Sequence, residues 1–124
     1  MEQPKVLICD ADPLTDNTYM KLHRAGFEVI LKQTVAEGLR IFEKGKFCAV
    51  ILYYSRHAAQ SFLNVTDTVS ILRKIDADTP VIVMTDEISL ETEREIRNAG
   101  IFYLLIKPVD NQELLGVLKA AHVR

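Results

Sequence analysis

The amino-acid sequence predicts an α/β domain, a doubly wound sheet of five parallel strands with five helices over its two faces. Three observations carry this. Short apolar runs alternate with amphipathic segments along the whole chain. Four of the five runs are nearly continuous in apolar residues, as strands covered on both faces require. The segments between them carry helix start and stop signals.

The first run, "KVLIC" (5–9), precedes a helix with Asp12 as N-cap, Pro13 at its first position and Gly26 closing it; Leu14, Leu22 and Ala25 form its core stripe. The second, "FEVIL" (27–31), is more mixed, with Glu28 and Lys32 around Val29 and Leu31, which suits a strand at the sheet edge. Thr34 and Glu37 form a capping box ahead of Leu39 and Phe42, and Gly45 ends that helix. The third run is "AVILY" (49–53), after which segment 67–76 carries Val69, Leu72 and Ile75 at helical spacing. "PVIVM" (80–84) is the fourth, and segment 89–99 carries Leu90, Ile96 and Ala99 before Gly100. After "YLLIK" (103–107), Asp110 and Glu113 repeat the capping device before Leu114, Leu115 and Leu118. Right-handed crossovers then give the strand order 2-1-3-4-5, a flavodoxin-like topology.

With 124 residues, 48% hydrophobic and 26% charged, the chain reads as one compact domain whose ordered core runs from about 4 to 122. It is of a size that can be excised from a longer protein. Cys9 and Cys48 lie within apolar runs and read as small buried hydrophobes, consistent with a reducing, cytoplasmic setting. A net charge of −2 with interspersed signs argues against direct nucleic-acid binding, and no apolar stretch is long enough to cross a bilayer. His23, His57 and His122 lack metal-ligand spacing. "CDADPLTD" has no glycine, which counts against a nucleotide or flavin site after the first strand.

In this topology a site lies beyond the carboxyl ends of the strands, at the switch point between the first and third. There the sequence places "CDADP" (9–13), "YYSRH" (53–57), "MTDE" (84–87) and "IKPVD" (106–110). In their order, "KVLICDADP", "TPVIVMT" and "AGIFYLLIKPVDNQEL" resemble the receiver domain of two-component response regulators, the CheY-like family, over nearly the whole chain. The resemblance implies that Asp10 matches the first acid of the family's metal-holding pair, Thr85 the switch hydroxyl and Lys107 the lysine that contacts the phosphoryl group. Asp12 takes the acidic or variable place after the pair.

The departures are as informative. The phospho-acceptor position is Tyr53, and a phenol with an ordinary pKa near 10 offers no carboxylate to form an acyl phosphate. Ala11 replaces the second acid and Leu104 the aromatic switch residue, a register that Tyr103 does not restore. The Met-Pro-Gly turn after the third strand is missing, and "SRHAAQSFLNVTDTVS" makes a longer connection than the family's. Two carboxylates, Asp10 and Asp12, hold Mg²⁺ weakly at most, so no tightly bound metal or other cofactor is expected. Asp86, the new carboxylate at this rim, reads as a candidate displaced acceptor; Lys107 reads first as an ion-pair partner of Asp10, and Tyr53 as filling the vacated pocket.

The function implied is that of a pseudo-receiver: not an enzyme, but a signalling module acting through phosphorylation-independent protein contact. The resemblance puts the partner, a signalling protein or an output domain, on the face of the fourth helix, fifth strand and fifth helix, and a homodimer would use the same face. A receiver phosphorylated at Asp86 or Asp12 is the alternative, and a small flavodoxin-like enzyme or flavin binder a distant third.

Overall fold

The computed structural model describes residues 3–10, 16–54, 65–86 and 89–123. Strands β1 (Lys5–Cys9), β2 (Glu28–Lys32), β3 (Ala49–Tyr53), β4 (Val81–Thr85) and β5 (Tyr103–Ile106) alternate with helices α1 (Asp16–Arg24), α2 (Val35–Phe42), α3 (Val65–Ile75), α4 (Leu90–Asn98) and α5 (Asn111–His122). The strands form one parallel sheet in the order β2-β1-β3-β4-β5, the doubly wound arrangement expected.

Side chains alternate across each strand, so the sheet divides the core in two. Val6, Ile8, Ile51, Ile82, Met84 and Leu105 face one way and pack with Leu22 of α1 and Leu114 and Leu118 of α5. Leu7, Val50, Leu52, Val81 and Val83 face the other way, against Phe42 of α2, Val69 and Leu72 of α3 and Ile96 of α4. β2 is mostly half-buried or exposed, as befits an edge.

Local signals explain most boundaries. Thr34 accepts from the backbone N–H of Glu37 and Asp110 from those of Gln112 and Glu113, each meeting donors that an isolated helix start would leave orphaned. Gly26 and Gly100 take φ of 96° and 80°, which glycine tolerates, at the turns after α1 and α4. Gly38 has a packing reason instead: a Cβ there would collide with Sγ of Cys9, so its absence lets α2 lie close on β1.

Three expectations need correction. Gly45 does not end α2, which stops at Phe42 with Glu43 as C-cap, and Gly45 has no positive φ. Ala25 lies in the exposed turn after α1 rather than in its core stripe. Leu90 begins α4 but is 64% exposed, because α4 turns only Thr92 and Ile96 fully inward. The expected cap Asp12, with Pro13 and Leu14, lies outside the described residues. No helix among the described residues is long and apolar enough to cross a membrane.

Candidate functional site

The site is built by the last rungs of the ladder. Register pairs Cys9 with Leu52, Tyr53 with Met84 and Thr85 with Ile106, so the strands end nearly level. Beyond them the backbone N–H of Asp10 donates to Lys32 O at 2.9 Å, that of Tyr54 to Met84 O at 2.9 Å, and that of Lys107 to Thr85 O at 2.8 Å. The main chain of these residues is therefore held by the sheet, which favours precise side-chain placement. The Lys107–Pro108 peptide is cis.

Lys107 is the centre of the rim. Its Nζ lies 2.7 Å from Oδ2 of Asp10, whose side chain is fully buried. The same ammonium stands 4.1 Å from the centroid of the Tyr53 ring, within cation–π range. Tyr53 packs its ring on the α1/α5 side of the core and donates its hydroxyl to Oδ1 of Asp86 at 3.0 Å. One lysine thus answers a buried carboxylate and the face of a phenol together, and the phenol passes the polar chain on to an exposed acid. A lysine-paired buried carboxylate carries a large desolvation cost that only close geometry offsets.

Thr85 is buried at the end of β4, between the rim and the core. Leu104 is half-buried and packs with the α2/α3/α4 side of the core. Tyr103 is turned outward, donating its hydroxyl to Oε2 of Glu113 on α5 at 2.8 Å; this bond to a carboxylate pushes its phenol above the ordinary value. Ala11 and Asp12 lie outside the described residues, as does His57. Among the described residues no three acidic, histidine or cysteine side chains gather as a metal would need. The two cysteines are free thiols, and burial pushes Cys9 up to about 12, with neighbouring Asp10 and Glu37 adding to the effect.

Sequence reasoning missed the second tyrosine. Tyr54 packs on the opposite side of the sheet from Tyr53 and donates to Oε1 of Glu95 on α4 at 3.0 Å. The available signal was the strand period: consecutive residues at a strand end face opposite ways, so a Tyr-Tyr pair addresses both layers.

Comparison with known proteins agrees with this fold. No family model matches the chain. It is 28% identical over 122 residues to an uncharacterized transcriptional regulatory protein of Bacillus subtilis (strain 168), YkoG, covering 98% of this chain and 52% of that protein. The chain therefore spans about half the length of this curated relative. Among solved structures it resembles a CheY-like response regulator receiver domain protein from Methanospirillum hungatei JF-1, with TM-score 0.82 and 26% identity over 98% of this chain and 94% of that one. It is also similar to a response regulator receiver domain protein from Clostridium thermocellum, with TM-score 0.81 and 27% identity over 98% and 95% of the two chains. Fold, motif order and these likenesses support a response regulator receiver domain of the CheY-like fold and of two-component type.

Proposed function

We propose that this receiver domain signals by protein contact without being phosphorylated. The observation that carries the reading is the Tyr53 side chain, at the position the resemblance assigns to the acceptor, with its ring beneath the Lys107 ammonium and its hydroxyl on Asp86. A phenol cannot form the acyl phosphate of an aspartate acceptor, and the lysine that would meet phosphoryl oxygens is instead paired with Asp10.

The metal site is reduced in the same way. Mg²⁺ takes oxygen ligands in near-octahedral geometry. The described residues at this rim offer it Asp10, whose charge Lys107 already offsets, and Asp86, which is exposed and accepts from the Tyr53 hydroxyl. This donor set does not suit a resident ion, and with Asp12 it supports weak binding at most.

The contact surface proposed is the face of α4, β5 and α5. Leu90, Tyr103 and Ile106 are large apolar side chains left exposed on these elements. The partner is a signalling protein or an output domain, in a cytoplasmic setting, and the roughly double length of the Bacillus subtilis regulator supports the second. A homodimer through the same face would make the domain's mass depend on concentration in sedimentation.

Incubation with acetyl phosphate and Mg²⁺ followed by intact mass tests the central claim. No adduct is expected. A gain of about 80 Da, the mass of one phosphoryl group, would overturn it. Asp86 is the exposed acid at the rim, so loss of that adduct in Asp86→Asn would establish the displaced-acceptor alternative. Titration with Mg²⁺ and beryllofluoride, followed by the amides of Asp10, Ala11, Tyr53, Thr85 and Lys107, gives an independent check; unmoved amides are expected.

A further inference from the structure

Helix α4 is thinly anchored. Of its nine residues only Thr92 and Ile96 are fully buried, and Ile96 is its one side chain in the apolar core. By contrast α3 buries Val65, Thr68, Val69 and Leu72, and α5 buries Leu114, Val117, Leu118 and Ala121; among the described residues α1 and α2 fully bury two each, but add partly buried apolar side chains, Tyr19 in α1 and Val35, Leu39 and Ile41 in α2. A helix with so little apolar burial is expected among the segments that open locally at less cost than global unfolding. Its N-cap Ser89 and the surface pair Glu93–Arg97 act within the helix and do not dock it on the sheet.

Two polar contacts cross from the end of β3 to this part of the chain. Tyr53 reaches Asp86, just after β4, and Tyr54 reaches Glu95, in the second half of α4. Tyr54 itself is fastened by its backbone N–H to Met84 O and by its ring to the same core layer as Ile96. We infer that Tyr54 is a positioning residue: its hydroxyl, through Glu95, sets the pose of α4, and the two tyrosines together bracket the β4–α4 connection from one strand end. The domain then carries in its own side chains a restraint on the helix that contributes to the contact face, an inference that rests on the proposed reading for its functional meaning but not for its physics.

The test is residue-resolved amide hydrogen exchange on the whole chain with Tyr54→Phe, Glu95→Ala and the double variant, alongside urea unfolding. Loss of one part-buried hydrogen bond corresponds to roughly five-fold faster local exchange. That acceleration is expected in α4 but not in α5, with the double variant no faster than the faster single one. Alanine at 95 raises helix propensity, so faster exchange in Glu95→Ala cannot be blamed on a poorer helix former. Arg97→Ala, which removes only the surface pair, should leave α4 unchanged. Unaltered α4 exchange in Tyr54→Phe would overturn the inference. So would acceleration spread equally over α4 and α5 with a lowered urea midpoint, because that marks general destabilisation. The samples contain no phosphoryl donor, metal or partner, so failure here is separable from failure of the phosphorylation-independent reading.

Discussion

Lys107 and Asp10 meet across the sheet, from the end of β5 to the end of β1, with Nζ 2.7 Å from Oδ2 and the aspartate side chain fully buried. Removing the lysine would take a close counter-charge from a buried carboxylate, which costs more than the pair itself contributes. Lys107→Met is therefore expected to destabilise the domain by about 3 kcal/mol. Adding Asp10→Asn should recover part of that loss, and urea unfolding of the two singles and the double would show it as a non-additive cycle. Additive losses would mean that the two groups do not sense each other.

Tyr53 makes two separable contributions. Its hydroxyl bonds an exposed acid, so Tyr53→Phe should cost only about 0.5 kcal/mol. Its ring packs on the core and lies under an ammonium, so Tyr53→Ala should cost about 2 kcal/mol more. Equal losses in thermal or urea unfolding would show that the Asp86 bond, not the ring, is what matters.

The contact of Gly38 with Cys9 predicts an unusual rescue. Gly38→Ala raises helix propensity but drives its new methyl into the sulfur, and a net loss of about 1–3 kcal/mol is expected from overpacking. Cys9→Ala removes the sulfur, so the double variant should be more stable than Gly38→Ala alone. If the single variant proves stabilising, α2 has room to move away from β1.

Alkaline pH should expose the burial of Cys9. Its thiol is pushed up from 9.0 to about 12, so between these values the unfolded chain loses a proton that the folded chain keeps. The stability contributed by the buried neutral thiol is complete below pH 9 and is lost as pH rises through the window to 12. Over three units the loss approaches about 4 kcal/mol. Urea midpoints measured from pH 8 upward should fall, and fall less steeply in Cys9→Ala. At pH 8 a thiol reagent should modify the half-buried Cys48 well before Cys9.

Strand order, the alternation of ten elements and the capping of α2 and α5 were readable because each rests on local chemistry: continuous apolar runs, Thr34 and Asp110 at helix starts, glycine at turns of positive φ. Gly45 and Leu90 misled for a shared reason. A glycine near a helix end, or a leucine at helical spacing, is a local signal, whereas helix ending and burial are settled by what the sheet offers opposite. The rim showed the same division. That Asp10, Tyr53, Thr85 and Lys107 sit at strand ends follows from the runs that precede them. That Lys107 stands over the Tyr53 ring, or that Tyr54 finds Glu95, depends on rotamers and on how far α4 leans.

The alternation of β3 carries one residue past its end at Tyr53 and gives Tyr53 and Tyr54 a parity. Tyr53 packs with the α1/α5 layer and Tyr54 with the layer beneath α4, although the two are chemically identical. Their roles are assigned by odd and even position, not by side chain. Deleting one residue between Ala49 and Leu52 would leave the composition of the strand end untouched yet send each phenol to the wrong side, parting the lysine from its ring and α4 from its strut at one stroke.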